Sequence, residues 1–211
     1  MIPALHLAAI LGFAVLASAL ARVPRTLFTE VAGGVPPTWR GEALLALILF
    51  AVGVAAFESG LGGEPAARMV LAAVMMVFAA VVHGDLRFLV IPDLYSILVA
   101  VAAFAGPLSP GLAEAALGAA ACGGLLMAVA WVWKRRTSVE GLGFGDVKLA
   151  AAIGALLGAE RALWAITVSA AGGAILGLIL TVVRRREGPM LFPFGVPLAL
   201  AGAGFLIWRL R

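Results

Sequence analysis

Every aspartate of the chain lies in one of two stretches. The first is His83-Gly84-Asp85-Leu86-Arg87, which leads into Ile91-Pro92-Asp93. The second is Gly141-Leu142-Gly143-Phe144-Gly145-Asp146-Val147-Lys148. Both border long apolar runs, where a buried carboxylate is costly, so such an acid marks a candidate functional site. Two carboxyls that face each other share a proton, because like charges held close cannot both ionise cheaply. The ionised member takes a proton from water while the protonated one polarises a carbonyl. That is aspartic-protease chemistry, and it needs no metal, serine nucleophile or cofactor; none is expected here. Gly143 and Gly145 add backbone freedom and allow close approach of another segment. Plainer roles compete. Asp146 could cap the next helix, Asp85 could pair with Arg87 or Lys148, and Asp93, directly after Pro92, is expected to cap the run it opens.

The elements that must carry these residues are membrane helices. Of 211 residues, 64% are hydrophobic and 12% charged, with mean hydropathy +1.12; soluble domains carry roughly twice that charge. The composition predicts an all-α, polytopic transmembrane bundle. The alternating segments of a membrane β-barrel are absent. Net charge is +4, with Arg and Lys gathered in loops, where they report orientation; no nucleic-acid partner is expected. Cys122, the single cysteine, sits in an apolar run and reads as a packing residue.

Apolar runs are expected at Leu5 to Ala21, Ala43 to Phe57, Ala67 to Val82, Leu94 to Ala105, a fifth ending at Trp131-Val132-Trp133, a sixth from near Asp146 to Gly158, Ala162 to Val183, and Met190 to Trp208. The last is expected to be broken by Pro193 and Pro197, and Val23 to Arg40 to form a loop. Distributing the basic residues over alternate loops predicts about eight spans with both termini outside. Arg25, Asp85, Asp93, Lys134 to Arg136, Asp146 and Arg184 to Arg186 then share the cytoplasmic side. The two arginine-rich clusters read as topology determinants that contact anionic lipid. His83 reads as a polar residue at the membrane edge.

His83-Gly84-Asp85-Leu86-Arg87-Phe88-Leu89-Val90-Ile91-Pro92-Asp93, with Gly143-Phe144-Gly145-Asp146-Val147-Lys148-Leu149 and Pro193-Phe194-Gly195, resembles the type IV prepilin leader peptidases. These are membrane aspartic peptidases with a GxGD motif. The resemblance runs from about Ala67 to the C-terminus. It implies an N-terminal membrane region over residues 1–66 and a peptidase core over 67–211. It also implies Asp85 and Asp146 as the catalytic pair, supported by Arg87, Pro92, Asp93, Gly143, Gly145 and Lys148, with Asp93 not itself a catalytic acid. The implied reaction is removal of a short basic leader, after a glycine, from prepilins or pseudopilins of a pilus or type II secretion system, at the cytoplasmic face of the inner membrane. Bifunctional members carry a loop with two CxxC pairs and methylate the new N-terminus. The Val23–Arg40 stretch has no cysteine, so methyl transfer and zinc are not expected.

Two other functional classes fit an intramembrane acid. An ion-coupled transporter would hold its aspartates near the middle of helices, whereas these lie at the ends of the expected runs. A catalytically inactive subunit of a pilus or secretion machine has no need of both Asp85 and Asp146.

Overall fold

The computed structural model describes residues 4–31, 39–137, 142–184 and 193–211. Among the described residues there are eight α-helices and no strands: α1 (Ala4–Val31), α2 (Trp39–Glu58), α3 (Pro65–Phe88), α4 (Asp93–Ala105), α5 (Leu112–Thr137), α6 (Phe144–Leu157), α7 (Ala159–Arg184) and α8 (Gly195–Leu210). Four of them, α1, α2, α3 and α5, contain stretches long and apolar enough to cross a membrane; α4 and α8 are shorter apolar helices. The chain is a polytopic helical membrane protein. Many large apolar side chains face outward, such as Leu11, Val15, Ile97, Leu117 and Trp164, as expected where the surrounding solvent is hydrocarbon.

Helices α3 and α6 form the centre. Helix α3 packs on α1, α2, α4 and α8, and α6 packs on α4, α5, α7 and α8. Close approach of α5 and α6 depends on two glycines: a methyl group on Gly118 or Gly154 would collide with the other's carbonyl. Cys122 is fully buried beside Gly154, a packing role. Small residues let membrane helices gain dispersion contact where no hydrophobic force drives them together. Tyr95 ties α4 to α1, its hydroxyl donating to the Leu20 carbonyl at 3.2 Å.

Several expected boundaries move. Helix α1 continues through the start of the expected Val23–Arg40 loop to Val31, and α2 begins at Trp39. Helix α3 does not stop at Val82. It carries His83, Gly84, Asp85, Leu86 and Arg87 as its last turns, because none of these residues breaks a helix as proline does. It ends at Leu89, which adopts the left-handed conformation (φ 55°) with its amide donating to the Asp85 carbonyl, a helix stop usually given to glycine. Pro197 does not break α8. It stands in the first turn, where a missing N–H leaves nothing unsatisfied. Gly141, Arg185 and Arg186 lie outside the described residues, as does Ser138.

Candidate active site

The C-terminal end of α3 and the N-terminal ends of α4, α6 and α8 converge, and the two stretches of aspartates meet there. Asp85 and Asp146 are buried, at 4% and 9% exposure, and lie near enough for the charge of one to act on the other. Asp85 sits on the last full turn of α3. Its Oδ2 accepts a 3.1 Å hydrogen bond from the Val196 amide, at the start of α8. Free N–H groups at a helix N-terminus favour a carboxylate, so backbone groups of α8 hold Asp85 across the bundle.

Asp146 is the third residue of α6, after Gly143 at the N-cap. The Gly143 backbone lies against its Oδ2, but no side-chain hydrogen bond caps α6. The other oxygen, Oδ1, is buried with no hydrogen-bond partner. Leaving a buried acceptor unsatisfied costs about 1–3 kcal/mol.

Three glycines make room. A methyl group on Gly143 would lie 3.2 Å from Asp146 Oδ2, and one on Gly195 would lie 2.9 Å from Asp85 Oδ2. Gly145 presses on the α3–α4 connection, where a methyl would lie 3.2 Å from both Cβ and the carbonyl oxygen of Ile91. The glycines beside Asp146 thus serve close approach rather than an unusual backbone angle; neither has positive φ.

Asp93 is not a helix cap. Pro92 occupies the N-cap position, no side chain caps α4, and Asp93 is the first helical residue. Its Oδ2 instead accepts a 2.6 Å ion-paired hydrogen bond from Lys148 Nζ. Lys148 also lies over the Phe144 ring, 4.7 Å from its centre. The lysine thus goes to Asp93 and not to Asp85, and it latches α4 to α6 beside the carboxyl pair. Arg87 is exposed in the last turn of α3, where a cation complements the helix dipole. No group of three or more His, Cys, Asp or Glu that could hold a metal is found among the described residues.

A family model described as the type IV leader peptidase family matches residues 69–181, which include both aspartates and Lys148. The chain belongs to the type IV leader peptidase family. Relatives named prepilin leader peptidase/N-methyltransferase match as well. The one from Xanthomonas campestris pv. campestris is 33% identical over 156 residues, covering 71% of this chain and 52% of the relative. Those from Aeromonas salmonicida (39% over 97 residues, 46% of this chain and 33% of the relative) and Pseudomonas aeruginosa (42% over 83 residues, 39% and 29%) match shorter stretches. The chain spans about half the length, or less, of these relatives. No solved structure matches it.

Sequence reasoning missed two participants. The Val196 amide carries no signal of its own, since every residue but proline has one; only Pro193-Phe194-Gly195 before it marked the place. Ile91 reads in sequence as an apolar residue before a proline. It is buried, at 6% exposure, against Gly145 and Gly195.

Proposed function

We propose that this protein removes the leader from prepilins or pseudopilins at the cytoplasmic face of the inner membrane, with Asp85 and Asp146 as an aspartic dyad. The observation that carries the reading is the burial of both carboxyls within electrostatic reach of each other at one end of the bundle. One carboxylate takes a proton from water as the oxygen attacks the scissile carbonyl. The other, protonated, donates to that carbonyl oxygen, and the proton taken from water passes to the leaving amine. Asp85, steadied by the Val196 amide, keeps one oxygen for this work. Asp146 keeps the buried Oδ1. The reading concerns hydrolysis alone; methyl transfer forms no part of it. The cytoplasmic orientation is supported by Lys134, Arg135 and Arg136 in the last turn of α5, next in the chain to α6.

Asp85→Asn and Asp146→Asn test the dyad. Asn keeps the shape and much of the hydrogen bonding but cannot exchange a proton. Each variant is expected to insert and accumulate normally yet leave a co-expressed prepilin unshifted on a gel. Wild-type processing by Asp146→Asn would remove the dyad.

A further inference from the structure

The short connection between α3 and α4, residues 89–92, passes between the N-terminal ends of α6 and α8. Its backbone is held by the Leu89 amide on the Asp85 carbonyl and by Gly84, where a methyl would lie 3.4 Å from the Val90 carbonyl oxygen. From this connection Ile91 points inward. On one side its Cβ and carbonyl lie against Gly145, the residue before Asp146. On the other its Cδ1 reaches Gly195, where an added methyl would lie 2.5 Å away, with Asp85 Oδ2 the next neighbour at 2.9 Å. One β-branched side chain thus fills the gap between the helix that bears Asp146 and the helix end that holds Asp85. Branching at Cβ restricts its χ1 torsion, so it acts as a stiff spacer.

We propose that Ile91 is a positioning residue for leader cleavage: wedged between Gly145 and Gly195, it sets the separation of the Asp85 and Asp146 carboxyls without touching the substrate. The proposal rests on the dyad reading above. Shortening the side chain keeps the Cβ and carbonyl contact with Gly145 but removes Cδ1 from Gly195, so α8 closes or tilts and the carboxyls leave the geometry in which both reach one water and one carbonyl. Misplacement of reacting groups by about 1 Å is enough to cost about 10²-fold in rate. A change confined to this spacing acts on the rate of the bound complex more than on substrate binding. The adjoining ion pair of Lys148 with Asp93 supports the same connection from outside, and the snug fit of Gly145 and Gly195 against Ile91 is what a fixed spacer demands.

The test measures kcat and KM separately, using full-length protein in detergent and, as probe, a prepilin that carries a short basic leader ending in glycine. Ile91→Ala is expected to lower kcat by roughly ten- to a hundredfold while KM stays within about twofold. Ile91→Val, which keeps the branch but loses Cδ1, is expected to lower kcat less than Ile91→Ala does. A residue that merely fills space would lower the amount of folded enzyme and leave kcat per folded molecule unchanged. A second measurement stands if Ile91→Ala does not accumulate. Gly195→Ala drives a methyl into Cδ1, so adding Ile91→Val should recover at least about threefold of the lost activity, because contacting residues couple. Wild-type kcat in Ile91→Ala, or no recovery in the double variant, overturns the proposal. Asp85→Asn and Asp146→Asn run alongside: if they remain active the dyad reading fails, whereas inactive dyad variants beside a wild-type Ile91→Ala remove only the spacer.

Discussion

The two ends of the bundle treat their buried polar groups differently. At the end away from the aspartates, charged side chains are spent on backbone carbonyls. Arg209 donates to Leu156 at 2.6 Å and to Leu108 at 3.0 Å, closing the last turn of α6 and the turn before α5. Arg68 likewise gives two donors to the Phe57 carbonyl near the end of α2. Carbonyls at helix ends have no partner within their own helix, and these arginines supply one. At the other end the polarity is reversed, with backbone amides serving carboxyls and capacity left over. Asp85 is held through one oxygen by Val196, and Asp146 keeps a buried oxygen unpartnered. The first end ties charged side chains to carbonyls. The second leaves a buried carboxyl oxygen unpartnered, as the proposed proton transfer requires.

This contrast fails most sharply if the carboxyls prove replaceable. Activity should vanish in Asp85→Asn and in Asp146→Asn, and the double variant should be no worse than either, because the two act as one unit; a double variant well below both singles would break that unity. Gly195→Ala comes next. Its methyl would press first on Ile91 Cδ1 and then on Asp85 Oδ2, and a fall of about 10²-fold in cleavage is expected, with normal accumulation in the membrane. The Lys148–Asp93 pair is partly exposed, so its energetic worth is small, about 0–1 kcal/mol. Lys148→Met and Asp93→Asn should each lower cleavage only about two- to fivefold, and combining them should add little, as partners in one contact do. The smallest effect on activity belongs to the opposite end. Arg209→Ala should leave kcat within about twofold while lowering stability by about 1–3 kcal/mol, since two buried carbonyls lose their donor; thermal unfolding in detergent reads it. An Arg209→Ala enzyme that was stable but inactive would erase the division between the ends.

Much of the site was legible from residue types. Aspartate is rare in an apolar chain because burial is costly, so its confinement to two stretches marks Asp85, Asp93 and Asp146 as candidates before any contact is visible. Glycines on either side of Phe144 announced a close approach. The partner of Lys148 was not legible. Asp85, Asp93 and Asp146 are equivalent to a charge count, and only the placement of α4 beside α6 brings Asp93 Oδ2 to 2.6 Å. Polar residues do not mark the end of α3. His83 to Arg87 continue α3, because polarity alone does not terminate a helix; a left-handed Leu89 and the proline beyond it do.

By itself the sequence determined that the chain is a helical membrane protein and that its aspartates are confined to two stretches. Hydropathy and charge are sums over residues, and they need no coordinates. The tertiary structure decided which groups face those aspartates. The Val196 amide on Asp85, the free oxygen of Asp146, the latch from Lys148 to Asp93 and the wedge of Ile91 between two glycines all join segments distant in the chain. Hydrogen bonds and steric contacts act over a few ångströms, so which atoms come that close is set by helix packing and not by the order of residues.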